Sequence, residues 1–371
     1  MWSYWEWKNF KQYDLIVIGA GIVGLSTAIQ YKEKFPERKV LVLERGLLPT
    51  GASTKNAGFA CFGSLTEILD DLEVLTEQEV LQLVRRRYSG LQAIRDRFGD
   101  AVLGFKDSGG YELFTTNELP LLNQMEVVNQ LLLPIFNEPV FSLVPLHQAL
   151  GFGPSVKAIV KNRFEGELDT GYFIQTLWHQ AQLLGVFIMT GADVQGLDRE
   201  TGQVSVRQFD GAERVFDGGQ IAVCTNAFTK KLIPSLTLKP GRGLVLVTKP
   251  LLNPINWEGS FHYDKGYVYF RSIDNRLLIG GGRNQDFETE ETLGFEVNSR
   301  IRDYLLNILH ETILPDEAAQ IEFEWTGIMA FGPSKMPVIQ QISDRLHCAV
   351  RLGGMGVAVG WQTASELVDL F

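Results

Sequence analysis

The sequence predicts an α/β protein in which a domain built on a parallel sheet is interleaved with an α+β domain whose sheet is largely antiparallel. The chain opens with a buried strand, a glycine-rich turn, a helix and a second buried strand, all between residues 13 and 43. Another strand of this type returns at 220–224, whereas 243–282 is rich in short strands. Because the two kinds of segment alternate, we expect each domain to contain several chain segments.

Length and composition exclude several classes of protein. The chain has 371 residues, which is room for two or three domains, and 45% of them are hydrophobic, which excludes overall disorder. Its formal net charge is −10. Nucleic-acid binding is driven by counterion release on basic surfaces, so we expect no nucleic-acid partner. Glycine is abundant, at 37 residues, and clusters between apolar runs.

The cysteines and the N-terminal residues argue against a metal site, a signal peptide and a membrane span. Cys61, Cys224 and Cys348 lie far apart, so we expect reduced thiols, no metal site and a cytoplasmic location. The Trp-rich segment 1–8 lacks the pattern of a signal peptide. It could anchor at a bilayer surface, but we favour packing onto the domain that follows. The longest nearly apolar run, 15–25, is too short for a membrane span.

A dinucleotide-binding fingerprint follows the first strand. The run 13–18 is aliphatic without alternation, as in a strand buried on both faces. It leads into Gly19-x-Gly21-x-x-Gly24 and a helix, and the next strand, 39–43, delivers Glu44. The three glycines alone would be a weak signal. Their context, between a strand and a helix with an acidic residue 20 positions after Gly24, makes the signal strong.

Each residue type in the fingerprint has a physical task. The first glycine makes the tight turn, the second lets the backbone approach a pyrophosphate, and the third allows the helix to pack closely on the strand. The helix N-terminus contributes positive potential, and Glu44 would accept hydrogen bonds from ribose hydroxyls. The fingerprint by itself leaves open whether the dinucleotide is NAD or FAD.

Periodicity and turn signals predict the remaining elements. Apolar residues every three or four positions predict a long helix at 71–98, in which we interpret Arg85, Arg86 and Arg87 as a solvated face. A hairpin is expected where 204–208 and 214–216 are joined through Asp210-Gly211. The other predicted helices lie at 119–132, 170–184, 297–309 and 357–370, and the other predicted strands at 111–115, 185–189, 244–248, 267–271, 277–281 and 320–325.

Further motifs follow the fingerprint in a fixed order. They are Glu44-Arg45, Gly51-Ala52-Ser53 with Asn56-Ala57-Gly58, Trp325-Thr326-Gly327 and Gly353-Gly354-Met355-Gly356-Val357. In these residues the sequence resembles the D-amino-acid oxidase family of flavoproteins, which includes glycine, sarcosine and γ-glutamylputrescine oxidases. The resemblance spans nearly the whole chain. It implies a Rossmann-like FAD-binding domain at 1–85, 152–235 and 325–371, and a substrate domain at 86–151 and 236–324.

The resemblance also implies which residues hold FAD. The loop after Arg45 should lie along the pyrophosphate and flavin, and Val194 should meet the adenine. The terminal helix should aim its N-terminus at the flavin, where its dipole would stabilise the anion of the reduced ring. The expected FAD-binding residues are Gly19, Gly21, Ile22, Val23, Gly24, Glu44, Arg45, Gly51, Ala52, Ser53, Asn56, Ala57, Gly58, Val194, Thr225, Asn226, Ala227, Gly353, Gly354, Met355, Gly356 and Val357.

The sequence departs from its relatives at three places. Segment 327–332 has no arginine where glycine-oxidase-like members clamp the substrate carboxylate, so Arg271, Arg283 or Lys335 could serve instead. Leu278 takes the position of a lysine that sarcosine-oxidase types link to oxygen reaction. The electron acceptor therefore stays open. No Cys or His stands where some relatives tether the flavin, and we expect non-covalent FAD.

Candidate substrate residues come from two strands. Tyr267, Tyr269 and Arg271 alternate, so they share a face and could form part of the substrate wall. Met329 and Phe331 stand where the clamp is missing and are expected to line an apolar pocket. His262 could act in proton transfer, although a lone histidine is more often a packed residue.

The expected reaction is oxidation of a C–N bond in a small amine or amino-acid-like substrate, by hydride transfer to flavin and with O2 as acceptor. Such chemistry needs positioning and electrostatics rather than a dedicated nucleophile. The alternatives are a dehydrogenase that passes electrons to a quinone or a protein carrier, and a non-catalytic FAD-binding protein. No oligomeric state is predicted.

Overall fold

A computed structural model describes residues 2–145, 151–207 and 211–371. Its strands are β1 (Gln12–Ile18), β2 (Val40–Leu43), β3 (Phe59–Ala60), β4 (Gly110–Phe114), β5 (Phe141–Val144), β6 (Ala158–Asn162), β7 (Gly166–Glu167), β8 (Phe187–Met189), β9 (Asp193–Leu197), β10 (Gln203–Arg207), β11 (Glu213–Val223), β12 (Lys239–Thr248), β13 (Ser260–Tyr263), β14 (Val268–Ile273), β15 (Arg276–Gly281), β16 (Ile321–Phe331), β17 (Val338–Gln341) and β18 (Leu346–Val350). Its α-helices are α1 (Tyr4–Phe10), α2 (Ile22–Lys34), α3 (Leu65–Leu72), α4 (Glu77–Phe98), α5 (Asp100–Leu103), α6 (Met125–Phe136), α7 (Thr170–Leu183), α8 (Phe287–Glu290), α9 (Ser299–Ile308) and α10 (Gly356–Val368).

The first sheet has a parallel centre. Strand β1 pairs in parallel with β2 on one side and β11 on the other, and β8 and β18 extend the sheet in parallel beyond them. Strands β9, β10 and β17 add antiparallel pairs at its margins. Every residue of β2 is buried, as the unbroken aliphatic run predicts for a strand covered on both faces.

The second sheet is antiparallel except at one pair. Its order is β16-β12-β15-β14-β13-β4-β6-β5, and the parallel pair is β13 with β4. Along the sequence, strands of this sheet alternate with strands of the first sheet, so the two sheets are built from interleaved chain segments. The predicted fold class, a Rossmann-like α/β unit with a largely antiparallel second sheet, is confirmed.

Two predicted boundaries fall inside continuous elements. Helix α4 runs across 85/86, and β16 runs across 324/325 and pairs along its length with β12 of the antiparallel sheet. Strand β6, within predicted segment 152–235, also pairs in that sheet. The domain limits stay a prediction.

The interpretation of the arginine run as a solvated face is wrong for two of its members. Arg87 is only 5% exposed and donates from Nη1 to the Phe62 carbonyl at 2.8 Å, and Arg86 pairs with Glu366 at 2.7 Å. Arg86 is covered because α4 packs tightly against α10, where a Cβ on Gly90 would lie 2.0 Å from the Ala358 carbonyl oxygen, and Arg87 is covered by the segment before α3 that contains Phe62. Only Arg85 is exposed.

The predicted helix at 71–98 is in fact two helices. The side chains of Ser64 and Thr76 each accept a hydrogen bond from the N–H of the glutamate three residues on. Each of these glutamate carboxylates in turn accepts the backbone N–H of the same serine or threonine. Two capping boxes therefore start α3 and α4 separately. The pattern S-x-x-E and T-x-x-E is legible in the sequence, but the continuous apolar periodicity obscured it.

The predicted hairpin is formed by β10 and β11, which pair antiparallel from Gln203 with Asp217 to Arg207 with Glu213. Residues Gln208 and Asp210 of that prediction lie outside the described residues.

The Trp-rich N-terminal segment docks only in part. Trp2 meets the Phe216 ring edge-on at 5.5 Å between centroids, and Phe10 lies 5.6 Å from Phe187. Tyr4 and Trp5 are 62% and 68% exposed on α1, so the expectation that the whole segment packs is wrong for its middle. Within the described ranges no helix combines the length and apolarity needed to cross a membrane.

Candidate active site

A cavity of about 620 Å³ separates the two sheets. One end is formed by the turn after β1 and by the ends of β2, β9 and β11, and the other by β13, β14 and β16 of the antiparallel sheet. Parallel strands present their carboxyl ends at the same sheet edge, and ligands of open α/β sheets bind at such an edge. The cavity therefore joins a nucleotide-binding edge to a second wall supplied by the other sheet.

The fingerprint glycines are required by close approaches. A Cβ on Gly24 would lie 1.8 Å from the Gly19 carbonyl oxygen, and one on Gly21 would lie 2.7 Å from the Ser53 hydroxyl. Gly19 itself has φ of +103°, which disfavours any side chain. Bare backbone and a free helix N-terminus thus face the cavity, which is the cradle that a pyrophosphate needs.

Two side chains complete this cradle. The Ser53 hydroxyl accepts the Ile22 N–H at 2.9 Å, so it lies at the N-terminus of α2. The buried Glu44 carboxylate accepts the N–H groups of Ala20 at 3.1 Å and Gly46 at 3.0 Å. These bonds hold the end of β2 against the glycine turn and leave carboxylate lone pairs for ribose hydroxyls.

The C-terminal glycine cluster also lines the cavity. Gly353 and Gly354 have φ of +57° and +83°, and the turn leads directly into α10. Its position depends on a contact far away in sequence, because the Asn226 side-chain oxygen accepts the Arg351 N–H at 3.0 Å. The N-terminus of α10 therefore faces the cavity beside α2, on which α10 packs: a Cβ on Gly360 would lie 2.6 Å from Ile22 Cγ2.

The expected FAD-binding residues lie around one space. All of them line the cavity except Gly24, Gly58 and Ala227. Gly24 supports the turn from behind, Ala227 is buried in the core next to the first sheet, and Gly58 occupies a turn with φ of +75°. Their contacts with FAD stay a prediction.

Residues 14–370 match the family described as DAO, FAD dependent oxidoreductase. The chain belongs to this family. Its cofactor is accordingly FAD. The glycine cradle, the helix N-terminus and Glu44 fit the dinucleotide, since they offer backbone donors to phosphates and a carboxylate to a ribose.

The chain is also similar to individual known proteins in sequence and in fold. The chain is 25% identical to the probable oxidoreductase OrdL of Haemophilus influenzae, over 95% of this chain and 81% of that protein. Its fold is similar to glycine oxidase from Geobacillus kaustophilus, with a TM-score of 0.77, 18% identity and coverage of 97% and 95% of the two chains. It is also similar to L-proline dehydrogenase from P. horikoshii, with a TM-score of 0.73, 16% identity and coverage of 97% and 93%.

The wall of the antiparallel sheet carries most of the expected substrate residues. Tyr267, Tyr269, Met329 and Phe331 line the cavity. Arg271 does not, although it shares a face with the tyrosines. Its Nη1 donates to the carbonyl oxygens of Gly58 and Leu168, both at 3.0 Å, and the side chain is buried beside Glu167. Arg271 was expected in the substrate wall. Its guanidinium instead points at these two loop carbonyls, since Nη1 donates to both.

Of the three cations considered as a replacement clamp, Arg283 is the one that lines the cavity. Lys335 is engaged with the buried carboxylate of Asp71, and Arg271 with the loop carbonyls. The Arg283 guanidinium carbon lies 4.0 Å from the centroid of the Phe331 ring, and burial lowers the pKa of its side chain. No carboxylate oxygen within the described ranges lies close enough to pair with it.

Several lining residues were not predicted from the sequence. Lys55, Glu67 and Phe59 line the middle and substrate end, and Phe228 lies under the Arg45 guanidinium at 3.8 Å. His262, a sequence candidate for proton transfer, lines the cavity as well. The capping-box pattern around Glu67 was available as a signal, but it indicates a helix start rather than a cavity. Only the packing of α3 against the second sheet shows where that carboxylate points.

Proposed function

We propose that this protein oxidises the C–N bond of a small amine or amino-acid-like substrate to an imine, which then hydrolyses, with O2 as the electron acceptor. FAD, when bound, supplies the hydride acceptor for such a reaction. The chain itself has to bind the substrate, orient its α-hydrogen and exclude water.

The continuity of the cavity carries this proposal. One unbroken space runs from the glycine turn at Gly19 to Tyr267, Tyr269 and Met329 on the opposite sheet. A dinucleotide held at the glycine turn would extend towards this aromatic and thioether wall. Apolar walls of this kind exclude water and fix a small substrate in one orientation.

Arg283 supports a substrate that carries a carboxylate. Its planar fork of N–H donors suits bidentate binding of a carboxylate, and Phe331 holds the guanidinium in place from one side. Gly241 makes the arrangement possible, since a Cβ there would lie 2.6 Å from Arg283 Nη1. An amino acid or N-substituted amino acid is therefore favoured over a simple monoamine.

The proposed reaction with O2 depends on a positively charged residue near the cavity. Leu278, at the position of the lysine in sarcosine-oxidase types, is buried beside Val245 and Val247 and does not line the cavity. Lys55 does line it, next to Gly327, and could supply the positive charge that favours electron transfer to O2. The fold shared with glycine oxidase agrees with this choice.

Transfer of electrons to a quinone or protein carrier is the second candidate. The exposed aromatic residues of α1 favour it, because Tyr and Trp concentrate at membrane interfaces and at protein interfaces. The fold shared with L-proline dehydrogenase agrees with this alternative. A cytoplasmic setting is part of the first proposal, and the free, buried state of all three cysteines supports it.

The test is anaerobic reduction of the protein-bound flavin by D-amino acids, N-methyl amino acids, polyamines and aminophosphonates. We expect at least one amine to bleach the flavin, and failure of the whole panel would contradict the proposal and favour a non-catalytic FAD-binding protein. Turnover with O2 is then compared with turnover with a dye acceptor. Hydrogen peroxide formed at near-dye rates supports the oxidase, and its absence supports the dehydrogenase. Acid-released FAD in the supernatant of denatured protein would support the expected non-covalent attachment.

A further inference from the structure

A histidine and three glutamates are clustered where the substrate end of the cavity meets the interior. His262 on β13 is 5% exposed. Its Nδ1 lies 3.8 Å from Glu67 Oε2, and its Nε2 lies 3.8 Å from Glu165 Oε2. The third carboxylate, Glu112, is directly opposite His262 in the pairing of β4 with β13.

Sheet register brings this cluster to the cavity. His262 faces Glu112 on one neighbouring strand and Tyr269 on the other, so the three side chains share one face of the sheet. That face is turned towards the first sheet, and Tyr269 and His262 both line the cavity. Glu67 comes from α3 and packs on the hairpin turn, where a Cβ on Gly266 would lie 2.7 Å from its carboxyl carbon.

The three carboxylates differ in their partners. Glu165 accepts the N–H groups of Phe62 at 2.9 Å and Gly63 at 3.0 Å, and Glu112 accepts the Thr66 N–H at 3.1 Å. Burial raises the pKa of both, that of Glu112 to about 7. Burial also acts to raise the pKa of Glu67, but the charges and N–H groups around it hold the pKa below its usual range.

Glu67 is the carboxylate of the cluster that lines the cavity, and it is the one whose pKa is held below its usual range. The basic side chains that face it are His262, Arg87 and Lys335. The groups around His262 are the three glutamates, the edge-on Phe59 ring at 5.5 Å between centroids, and Tyr269. His262 Nε2 is buried without a hydrogen-bond partner among the described residues.

A purely structural cluster would be expected to satisfy that nitrogen, because buried polar groups are almost always hydrogen-bonded. Here the imidazole instead lies between a carboxylate at the cavity and a carboxylate in the interior, at distances too long for direct bonds. The imidazole therefore has a carboxylate next to each ring nitrogen without a direct bond to either, and it lies in the cavity lining.

We propose that Glu67 and His262 form the amine end of the site: the Glu67 carboxylate binds the ammonium group of the substrate, and His262 accepts a proton from it. The transfer is R–NH3⁺ plus neutral imidazole to R–NH2 plus imidazolium, with no other bond made or broken. The product is the neutral amine whose lone pair the oxidation requires. This inference rests on the proposed function.

The charge pattern of the cavity agrees with this assignment. Arg283 and Glu67 both line the cavity near the turn between β13 and β14: the Gly282 N–H donates to the Tyr267 carbonyl at 2.7 Å, and Glu67 packs on the neighbouring Gly266. The cavity therefore offers a cation for a carboxylate and an anion for an ammonium group. A zwitterionic amino acid matches both.

The first test measures binding without turnover. The probes are 2-aminoisobutyrate, which has a charged amine but no α-hydrogen, and 2-hydroxyisobutyrate, which has no amine. Their dissociation constants for the FAD-loaded protein are read from the change in flavin absorbance at pH 8. We expect E67Q to weaken binding of 2-aminoisobutyrate by about tenfold or more and that of 2-hydroxyisobutyrate by less than about twofold.

Glutamine at position 67 can still complete the capping box, so α3 should remain folded. The matched control is E73Q, at an exposed position just after the same helix. Equal loss of both probes in E67Q, unchanged binding of the amine, or no binding of 2-aminoisobutyrate by the unaltered protein would each overturn the assignment of Glu67.

The second test uses the amine that reduces the flavin in the panel above. The limiting rate of anaerobic reduction is measured from pH 6.5 to pH 10 for the unaltered protein, H262Q and the exposed control H179Q. We expect H262Q to lose about a hundredfold at pH 7 and to approach the unaltered protein near pH 10, where the amine is already neutral in solution.

A merely structural role for His262 would lower the rate equally at every pH, and that outcome would contradict the proposal, as would an unchanged profile. Failure of the proposed function can be distinguished from failure of the assignment of Glu67 and His262. If no amine reduces the flavin, the proposed function fails, while the probe-binding test of Glu67 is still decided on its own result. If H262Q does not fold, the E67Q comparison and the pH profile of H262N keep the proposal testable.

Discussion

The guanidinium carbon of Arg283 lies 4.0 Å from the centroid of the Phe331 ring, inside the cavity between the two sheets. The two residues belong to different parts of the antiparallel sheet: Arg283 follows β15 and Phe331 ends β16, with β12 between those strands. Gly241 on β12 leaves the space in which the two side chains stack. The pair places a cation against segment 327–332, which has no arginine of its own.

Replacing Arg283 by lysine should weaken substrate binding. An ammonium group cannot make the bidentate contact or stack flat on Phe331, so we expect KM for a carboxylate-bearing substrate to rise about ten- to a hundredfold. FAD content should be unchanged. The measurement is steady-state kinetics on the best substrate of the panel, with R300K as an exposed control. An unchanged KM would exclude Arg283 as the carboxylate anchor.

Replacing Gly21 by alanine should reduce FAD binding. The added Cβ would lie 2.7 Å from the Ser53 hydroxyl and would occupy space that the pyrophosphate needs. We expect the variant to purify with less than about a tenth of the flavin, measured as the ratio of absorbance at 450 nm to that at 280 nm. Gly196→Ala is the control, because its Cβ would meet only the Ser205 hydroxyl at 3.4 Å, outside the cavity lining. Full flavin content in G21A would refute the assigned cradle.

Replacing Arg271 by methionine should destabilise the protein rather than alter substrate selectivity. The change removes the donor from two buried loop carbonyls and leaves the buried Glu167 with only the Lys106 ammonium group at 3.5 Å, a loss of about 3 kcal/mol in the free energy of unfolding. The melting temperature, followed by flavin fluorescence, should fall, while KM for the remaining folded protein should stay within about twofold. A large rise in KM with an unchanged melting temperature would restore Arg271 to the substrate wall.

Replacing Lys55 by methionine should slow reoxidation by O2. Negative charge develops on O2 as it takes electrons, and Lys55 is a basic residue of the cavity lining whose Cβ lies next to Gly327. We expect the second-order rate constant for the reduced protein with O2 to fall about tenfold, and anaerobic reduction to change by less than about twofold. Stopped-flow absorbance separates the two half-reactions, with K230M at an exposed position as the control. Equal O2 rate constants would mean that Lys55 has no part in the reaction.

Replacing Glu112 by glutamine should remove a destabilisation of the folded protein that grows as the pH rises. Burial raises the pKa of Glu112 from 4.5 to about 7, so its contribution is fully favourable below pH 4.5 and is lost as the pH rises through 7. Glutamine imitates the protonated carboxyl. The variant should therefore gain about 2–3 kcal/mol over the unaltered protein between pH 5 and pH 7.5.

The measurement for Glu112 is the difference in melting temperature between the variant and the unaltered protein at those two pH values, with exposed E213Q as the control. A difference that does not change with pH would show that Glu112 ionises normally in the folded state.

The sequence by itself determined the nucleotide end of this protein. The turn Gly19 to Gly24, the end of β2 at Glu44 and the loop around Ser53 are close in sequence, and their shape follows from local requirements: glycine where backbone must turn or touch, and a strand that delivers one acidic side chain. Short-range sterics and hydrogen bonding suffice there, so the motif is legible without any knowledge of distant contacts.

The substrate end was decided only by the tertiary structure. Glu67 and His262 are 195 positions apart and meet because α3 packs on the β13–β14 turn, while Glu112 reaches them through the parallel register of β4 with β13. Arg271 shares a face with Tyr269, as alternation predicts, yet loops from elsewhere in the chain occupy its guanidinium. Periodicity defines a face of a strand, but what covers that face depends on long-range packing, and the same packing brings Arg283 and Glu67 to the cavity lining.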